Sequence, residues 1–180
     1  LVGEDGATHH GAFDLAYFGC IPNLTVASPL DERELRNLLY TALQSGVPFV
    51  VRYPRGKGEG AAWRDEAFER LPIGRGRRLT EGDDMAVLTI GPVGNDLRFA
   101  RPLDEELLDE VGRRFERVVT VEDGVVRGGV GSAVRDFFDR RGYRTQVRSL
   151  GIPDDRFVEH GTPAELYAQC GFDEEGILRE

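Results

Sequence analysis

Two clusters in the first third of the 180-residue chain combine residue types suited to acid–base chemistry and anion binding. The histidine loop contains Asp5, Gly6, Thr8, His9, His10, Gly11 and Asp14. Its glycines let a ligand approach the backbone closely, and adjacent imidazoles can point in different directions and titrate near neutral pH. The second cluster, RYPRG at 52–56, ends a predicted strand with guanidinium groups that suit phosphate or carboxylate. Together they predict a pocket for an anionic substrate.

Each cluster also has a plainer interpretation: a solvated surface loop for the first, structural arginines paired with Asp or Glu for the second. A third cluster runs from Val121 through Glu122 and Asp123 to glycines at 124, 128, 129 and 131 and then Ser132. Backbone N–H groups in such a turn can hold a phosphate, but the spacing matches no standard phosphate-binding motif. Tight packing of a helix N-terminus is the favoured interpretation.

Other reactive side chains carry weaker signals. There is no GxSxG motif and no group of residues with metal-ligand spacing, and His160 beside Glu159 is predicted to be structural. Cys20 and Cys170 are far apart and belong to no CxxC pair, so we predict reduced thiols in the core of a cytoplasmic protein.

Composition excludes several classes of protein. The chain has 32 acidic and 23 basic residues, a formal net charge of -9 and a pI of about 4.9. Such a charge repels nucleic acid, so an anionic substrate needs a local cluster of cations. No apolar run approaches the ~20 residues that span a bilayer, and no signal-peptide pattern is present. We therefore expect neither a nucleic-acid partner nor a membrane.

The hydrophobic pattern predicts two α/β blocks with mainly parallel sheets. The first block is a strand at 24–27, a helix at 31–44 and a strand at 48–53. A Gly- and Arg-rich segment at 56–84 follows, docked by Trp63, Phe68 and Leu71. The second block has strands at 85–90, 118–121 and 144–150 and helices at 102–115, 132–141 and 163–170.

One junction in the second block is unusually short. Only residues 91–96 separate the strand ending at Ile90 from the strand-like residues 97–99. A parallel crossover needs about a dozen residues or more, usually with a helix. Either these strands pair in another way or a helical segment is missing, and we favour the missing segment.

Several motifs together resemble the 1-deoxy-D-xylulose-5-phosphate synthase family of the transketolase-like superfamily, from Gly3 to Gly171. They are EDGATHHGAFDL, RYPRG, RFARPLDEELL, VTVEDGVVRGGVGSAV and LGIPDDRFVEHGTPAELY. The resemblance implies the end of a transketolase-like pyrimidine-binding domain at 1–62, a linker at 63–82, and a transketolase C-terminal α/β domain with a mainly parallel sheet at 83–180.

The resemblance also implies an activity. The family comprises cytoplasmic, homodimeric transferases that use thiamine diphosphate and Mg²⁺ to condense pyruvate with D-glyceraldehyde 3-phosphate. Carried over by motif, His9 would be catalytic and would hydrogen-bond the acceptor or its phosphate. Asp5 would orient neighbouring groups in the substrate pocket, and Arg55 would clamp the acceptor phosphate.

Departures from the family pattern limit what this chain can do. The cofactor-binding GDG signature is absent, so no cofactor or metal ligand is assigned, and the glutamate that activates the cofactor is expected before Leu1. Phe18 and Gly19 stand where the family usually has Leu and Arg. We expect the chain to be inactive alone and to associate with the N-terminal fragment of the same enzyme. The alternatives are a non-catalytic dimerisation module and the beta subunit of a 2-oxo-acid dehydrogenase, against which the histidine loop argues.

Overall fold

The computed structural model describes all residues from Leu1 to Glu180 and contains two three-stranded sheets. The first sheet comprises β1 (Thr25–Ala27), β2 (Phe49–Val51) and β4 (Phe99–Arg101), and the second comprises β3 (Ala86–Ile90), β5 (Arg117–Val125) and β6 (Gln146–Ile152). The helices are α1 (Asp14–Gly19), α2 (Glu32–Ser45), α3 (Glu105–Arg114), α4 (Val130–Arg141), α5 (Pro163–Cys170) and α6 (Glu174–Leu178), preceded by a 3-10 turn at Gly3–Asp5.

The first block is confirmed as a strand–helix–strand unit. β1 and β2 are parallel, and α2 connects them. The Asp31 carboxylate accepts the Glu34 N–H at the start of α2, and Gly46 ends the helix in the left-handed conformation. The predicted apolar face is covered only in part, because Leu38 is fully buried whereas Leu43 is 84% exposed.

The second block is confirmed as a parallel sheet in the order β3–β5–β6. The side chain of Asp104 accepts the N–H groups of Glu106 and Leu107, so α3 begins at Glu105 rather than at 102 as predicted. Three core side chains of α4, Val134, Phe137 and Phe138, pack against this sheet and α3. β5 is longer than predicted and runs to Val125, while the short helices α1 and α6 were not predicted.

The segment between β2 and β3 has no helix or strand, as its composition predicts. Leu71 docks it, packing in a core cluster with Leu38 and Phe99. Phe68 stacks on Tyr40 with ring centroids 5.3 Å apart but remains 61% exposed. The predicted docking is therefore confirmed most clearly at Leu71.

The short junction after β3 is resolved by a different strand pairing. The chain leaves the second sheet after β3, and β4 pairs antiparallel with β1 of the first sheet. The Asn95 side chain accepts the Gly91 N–H at 2.9 Å and donates to the Ser28 carbonyl at 2.8 Å. Buried Asp96 accepts the Thr89 hydroxyl at 2.7 Å, and burial raises the pKa of Asp96. The junction thus connects the two sheets instead of continuing one.

The prediction that both cysteines lie in the core is wrong for Cys20. Cys20 follows the last residue of α1 and is exposed, and its thiol donates to the Tyr17 carbonyl at 2.9 Å. Cys170 is half-buried, and burial raises the pKa of its thiol.

None of the helices has the length and apolar character needed to cross a bilayer.

Candidate functional site

The structure brings the two N-terminal clusters together through Asp5 and Arg55. Asp5 closes the 3-10 turn, Arg55 lies in the loop after β2, and the Asp5 carboxylate contacts the Arg55 guanidinium. The side chain of Arg55 is 62% exposed and that of Asp5 is 31% exposed. Solvent screens such a pair, so it adds at most about 1 kcal/mol to stability. Its main effect is to hold an accessible cation beside the histidine loop.

Arg52 fixes the end of β2 against that loop. Its N–H continues the ladder by donating to the Ala27 carbonyl at 2.8 Å. Its guanidinium donates to the carbonyl oxygens of Gly11 at 3.1 Å and Asp123 at 2.5 Å, and its Nε lies 3.5 Å from the Asp14 carboxylate. Arg52 is therefore the structural arginine of the pair in RYPRG, while Arg55 is the accessible one.

The two adjacent histidines face different surroundings. His9 is exposed, and its Nδ1 lies 3.0 Å from the Thr8 hydroxyl. The Val2 N–H donates to Nδ1 of His10 at 3.0 Å, so that nitrogen carries no proton. Nε2 of His10 then donates to the Glu159 carbonyl at 3.3 Å. His10 thus has a structural role, and His9 is the imidazole free to meet a ligand.

The glycine-rich turn after β5 is occupied by a side chain of the protein. The buried Glu122 carboxylate accepts the N–H groups of Val130 at 2.8 Å and Gly131 at 2.9 Å. Burial raises the pKa of Glu122 to about 7, while these two hydrogen bonds and the charge of Arg52 oppose the rise. The amides that could have held a phosphate already have an acceptor, so the turn is not a phosphate site.

The favoured interpretation of that turn, tight helix packing, is confirmed. A Cβ on Gly131 would lie 2.4 Å from Oγ1 of Thr120 and 2.3 Å from Oγ of Ser149. Only a glycine lets the start of α4 approach β5 and β6 this closely.

The residues of this chain supply no site for Mg²⁺ or for the diphosphate group of the cofactor that the resemblance implies. No group of three or more His, Cys, Asp or Glu side chains is placed to hold a metal ion. The N–H groups of the glycine-rich turn at the start of α4 are already bonded to Glu122. We therefore derive no step through Mg²⁺ or thiamine diphosphate from these residues.

The contact of one residue, His160, with the histidine loop was not predicted from the sequence. His160 was predicted to be a structural side chain beside Glu159, and its Nδ1 does lie 3.8 Å from that carboxylate. However, its ring also packs on the histidine loop, because a Cβ on Gly6 would lie 2.4 Å from its Nε2. No local spacing links residues so distant in the chain, and the only signal in the sequence was that His160 lies in the motif LGIPDDRFVEHGTPAELY.

Comparison with known proteins gives two family matches. Residues 1–59 match the family model for the transketolase pyrimidine binding domain, and residues 95–177 match the model for the transketolase C-terminal domain. A solved structure described as a split gene transketolase, inactive beta4 tetramer, has a TM-score of 0.80 and 27% sequence identity. The similarity covers 96% of this chain and 60% of that one.

Curated relatives identify the subfamily. The chain is 52% identical over 200 positions to the 1-deoxy-D-xylulose-5-phosphate synthase of Parabacteroides distasonis, covering 100% of this chain and 31% of the relative. It is 47% identical over 193 positions to the synthase of Alkalilimnicola ehrlichii, covering 99% of this chain and 31% of that relative. The chain thus spans less than a third of the length of these relatives.

The alignments also bear on the short junction. The alignment with the Parabacteroides distasonis relative has 200 positions, 20 more than the 180 residues of this chain. The match to the C-terminal domain begins at residue 95, inside the junction. This relative therefore has about 20 positions that the chain lacks, and the short junction at 91–96 is where the sequence predicts a missing segment. With both domains matched and the synthases similar over its whole length, the chain belongs to the transketolase family, as a C-terminal portion of the 1-deoxy-D-xylulose-5-phosphate synthase type.

Proposed function

We propose that this chain forms the acceptor-binding part of a 1-deoxy-D-xylulose-5-phosphate synthase. The reaction condenses pyruvate with D-glyceraldehyde 3-phosphate, releases CO₂ and gives 1-deoxy-D-xylulose 5-phosphate, a precursor of isoprenoids, thiamine and pyridoxal. The observation that carries the proposal is the contact between Asp5 and Arg55, which places a cation beside the histidine loop. Thiamine diphosphate and Mg²⁺, bound by the remainder of the enzyme, would supply the carbanion chemistry.

In this proposal three residues of the chain form the acceptor site. Arg55 binds the phosphate, since its guanidinium is largely exposed and suits phosphate geometry. A local cation is needed because the formal net charge of -9 repels a phosphorylated substrate. His9 is the catalytic imidazole that hydrogen-bonds the acceptor, and Asp5 holds the Arg55 side chain toward it.

We further propose a homodimer that is completed by the N-terminal part of the same enzyme. Leu39 and Leu43, one turn apart on α2, are 50% and 84% exposed, an apolar surface suited to a protein contact. The relatives extend far beyond the matched 31% of their length, so they have ample chain to cover it. Free, unpaired Cys20 and Cys170 suit a cytoplasmic location. We retain 1–62, 63–82 and 83–180 as the proposed division of the chain.

Reconstitution tests the proposed function. The chain is purified alone and co-expressed with the unmatched N-terminal part of the Parabacteroides distasonis synthase, and glyceraldehyde 3-phosphate-dependent CO₂ release from pyruvate is measured. We expect no turnover by the chain alone, in keeping with the inactive state of the related split gene transketolase tetramer, and turnover by the complex. A complex that binds thiamine diphosphate without turnover would contradict the proposal.

The split gene relative also favours a second candidate, a non-catalytic assembly module. Calorimetric titration of the complex with glyceraldehyde 3-phosphate separates the two. A module that only dimerises should release no heat, whereas an Arg55-based site should bind the acceptor with an affinity that falls as salt is added.

A further inference from the structure

We propose that His160, from the C-terminal part of the chain, is a positioning residue for the acceptor site. Its ring supports the backbone at Gly6 and thereby holds Asp5 and His9 in place. The inference rests on the proposed function for its kinetic consequences, but the contact itself can be tested without any activity.

The contact between His160 and the loop is direct. A Cβ at Gly6 would lie 2.4 Å from Nε2 of His160 and 2.7 Å from both Cδ2 and Cε1, so the ring occupies the space of a side chain. Gly6 has a φ of 69°, which glycine adopts without strain. The ring therefore fills the position left by the missing side chain.

The neighbours of His160 contact the same loop. The Glu159 carbonyl accepts Nε2–H of His10, and a Cβ at Gly3 would lie 3.1 Å from the Gly161 carbonyl oxygen. Residues 159–161 thus lie along the loop from Gly3 to His10. The C-terminal part of the chain forms one wall of the candidate site.

Gly6 connects the ring of His160 to both Asp5 and His9. It follows Asp5, whose carboxylate contacts Arg55. Its carbonyl accepts the N–H of His9 at 3.0 Å and that of His10 at 3.2 Å. A shift of the Gly6 backbone would therefore move both Asp5 and His9. The imidazole of His160 acts on the acceptor through these residues and needs no contact with it.

The role of His160 is separable from folding. Its side chain is 68% exposed, whereas nearby Val158 is buried in the core with Leu166 and Phe172. Val158 anchors the segment, so truncating the exposed His160 should leave the unfolding midpoint close to the wild-type value. His160→Ala removes the ring, His160→Phe keeps its volume without its nitrogens, and Arg156→Ala is a matched control at an exposed neighbour.

The first arm of the test is hydrogen–deuterium exchange on the 180-residue chain itself. We expect His160→Ala to speed exchange at residues 3–10, and His160→Phe and Arg156→Ala to leave it at the wild-type rate. Unchanged exchange in His160→Ala would overturn the positioning role, whatever the outcome of the activity assay. Failure of the proposed function would appear separately, as a wild-type complex without turnover.

The second arm is kinetic and uses the reconstituted complex. We expect His160→Ala to raise the KM for glyceraldehyde 3-phosphate by roughly three- to tenfold, about 1 kcal/mol, with the KM for pyruvate unchanged. His160→Phe should restore the acceptor KM. Equal changes in both KM values would show general damage, and failure of Phe to restore binding would show that the imidazole nitrogens act directly. Either result would overturn the inference.

Discussion

The carboxylate of Asp5 in the N-terminal 3-10 turn contacts the guanidinium of Arg55 in the loop after β2. Neither element dictates this contact by itself. Arg52 makes it possible by bonding the end of β2 to the Gly11 carbonyl, which sets the distance between the two loops. The pair therefore pre-organises a cation that remains open to an anionic ligand.

Truncating Arg55 should weaken acceptor binding in the complete enzyme. A hydrogen bond to a charged group contributes about 1.5–3 kcal/mol. Because the Arg55 side chain is 62% exposed, we expect the lower end, about a tenfold rise in the KM for glyceraldehyde 3-phosphate in Arg55→Ala. Steady-state kinetics with the acceptor varied at saturating pyruvate measures this directly.

The matched control for this variant is Arg140→Ala. Arg140 forms a similarly exposed pair with Asp136 on α4, with both side chains about two-thirds exposed. Losing that pair should leave both KM values unchanged. An acceptor KM in Arg55→Ala that equals that of Arg140→Ala would show that Arg55 is only structural.

Local patterns predicted most of the fold. The apolar spacing of α2 and the alternation of helices and strands in the second block correspond to elements that the structure contains. β4 could not be placed, because its pairing with β1 depends on the side chains of Asn95 and Asp96 in a turn of unusual length. The hydrogen bonds of these buried groups, including the long-range bond from Asn95 to Ser28, leave no periodic signal in the sequence.

The candidate site was predictable only in part. The position of Arg55 beyond a parallel strand follows from sheet topology, and the resemblance pointed to Asp5 and His9. Their roles remain predictions, although the structure brings Asp5 and Arg55 into contact. Glu122 was noted only as part of a glycine-rich turn, because its capping of α4 depends on how closely the helix approaches β5.

Glu122 should make stability depend on pH. Burial raises its pKa from an ordinary value of 4.5 to about 7, so the folded state holds a proton that the unfolded state has lost between these pH values. The favourable contribution is complete below pH 4.5 and is lost as the pH rises through about 7. At 1.36 kcal/mol per pKa unit, the free energy of unfolding falls by up to about 3 kcal/mol over this range.

Replacing Glu122 with Gln removes this titration. We expect Glu122→Gln to gain up to about 3 kcal/mol relative to wild type between pH 4.5 and pH 8, as measured by urea unfolding. Glu4→Gln, a change at an exposed residue, should follow the wild-type curve. Parallel pH curves for wild type and Glu122→Gln would show that Glu122 is ionised throughout this range.

Gly131→Ala tests the close packing of α4. In most helices this change is stabilising, but here the new methyl would lie within 2.4 Å of the Thr120 and Ser149 hydroxyls. Overpacking of this kind costs about 1–3 kcal/mol, which thermal unfolding can resolve. Gly19→Ala is the control, because Gly19 ends α1 with no atom within 4 Å of its Cβ position. It should be neutral or stabilising by up to about 1 kcal/mol, and equal effects of the two changes would refute the packing argument.

The outer edge of β3 has no neighbouring strand. The backbone groups of Thr89 on that edge bond to Asp96 and Leu97. The N–H and C=O groups of successive residues in a strand point to opposite sides. Those of Val87, two residues before Thr89, therefore point to the same open side as those of Thr89. Val87 is 37% exposed and borders a cavity of about 560 Å³ between residues 77–89 and α3.

Restoring the relatives' extra segment should cover this edge. We predict that the roughly 20 unmatched residues of the Parabacteroides distasonis synthase belong at the short junction, and we expect their insertion between Asn95 and Asp96 to raise the Tm. For a chain of this size, each kcal/mol gained corresponds to about 2–4 °C. A Gly/Ser insert of equal length supplies no strand or apolar surface and adds loop entropy, so it should lower the Tm. If both inserts lower the Tm equally, the segment does not pack on β3. The chain with β4 paired to β1 would then be more stable without the segment.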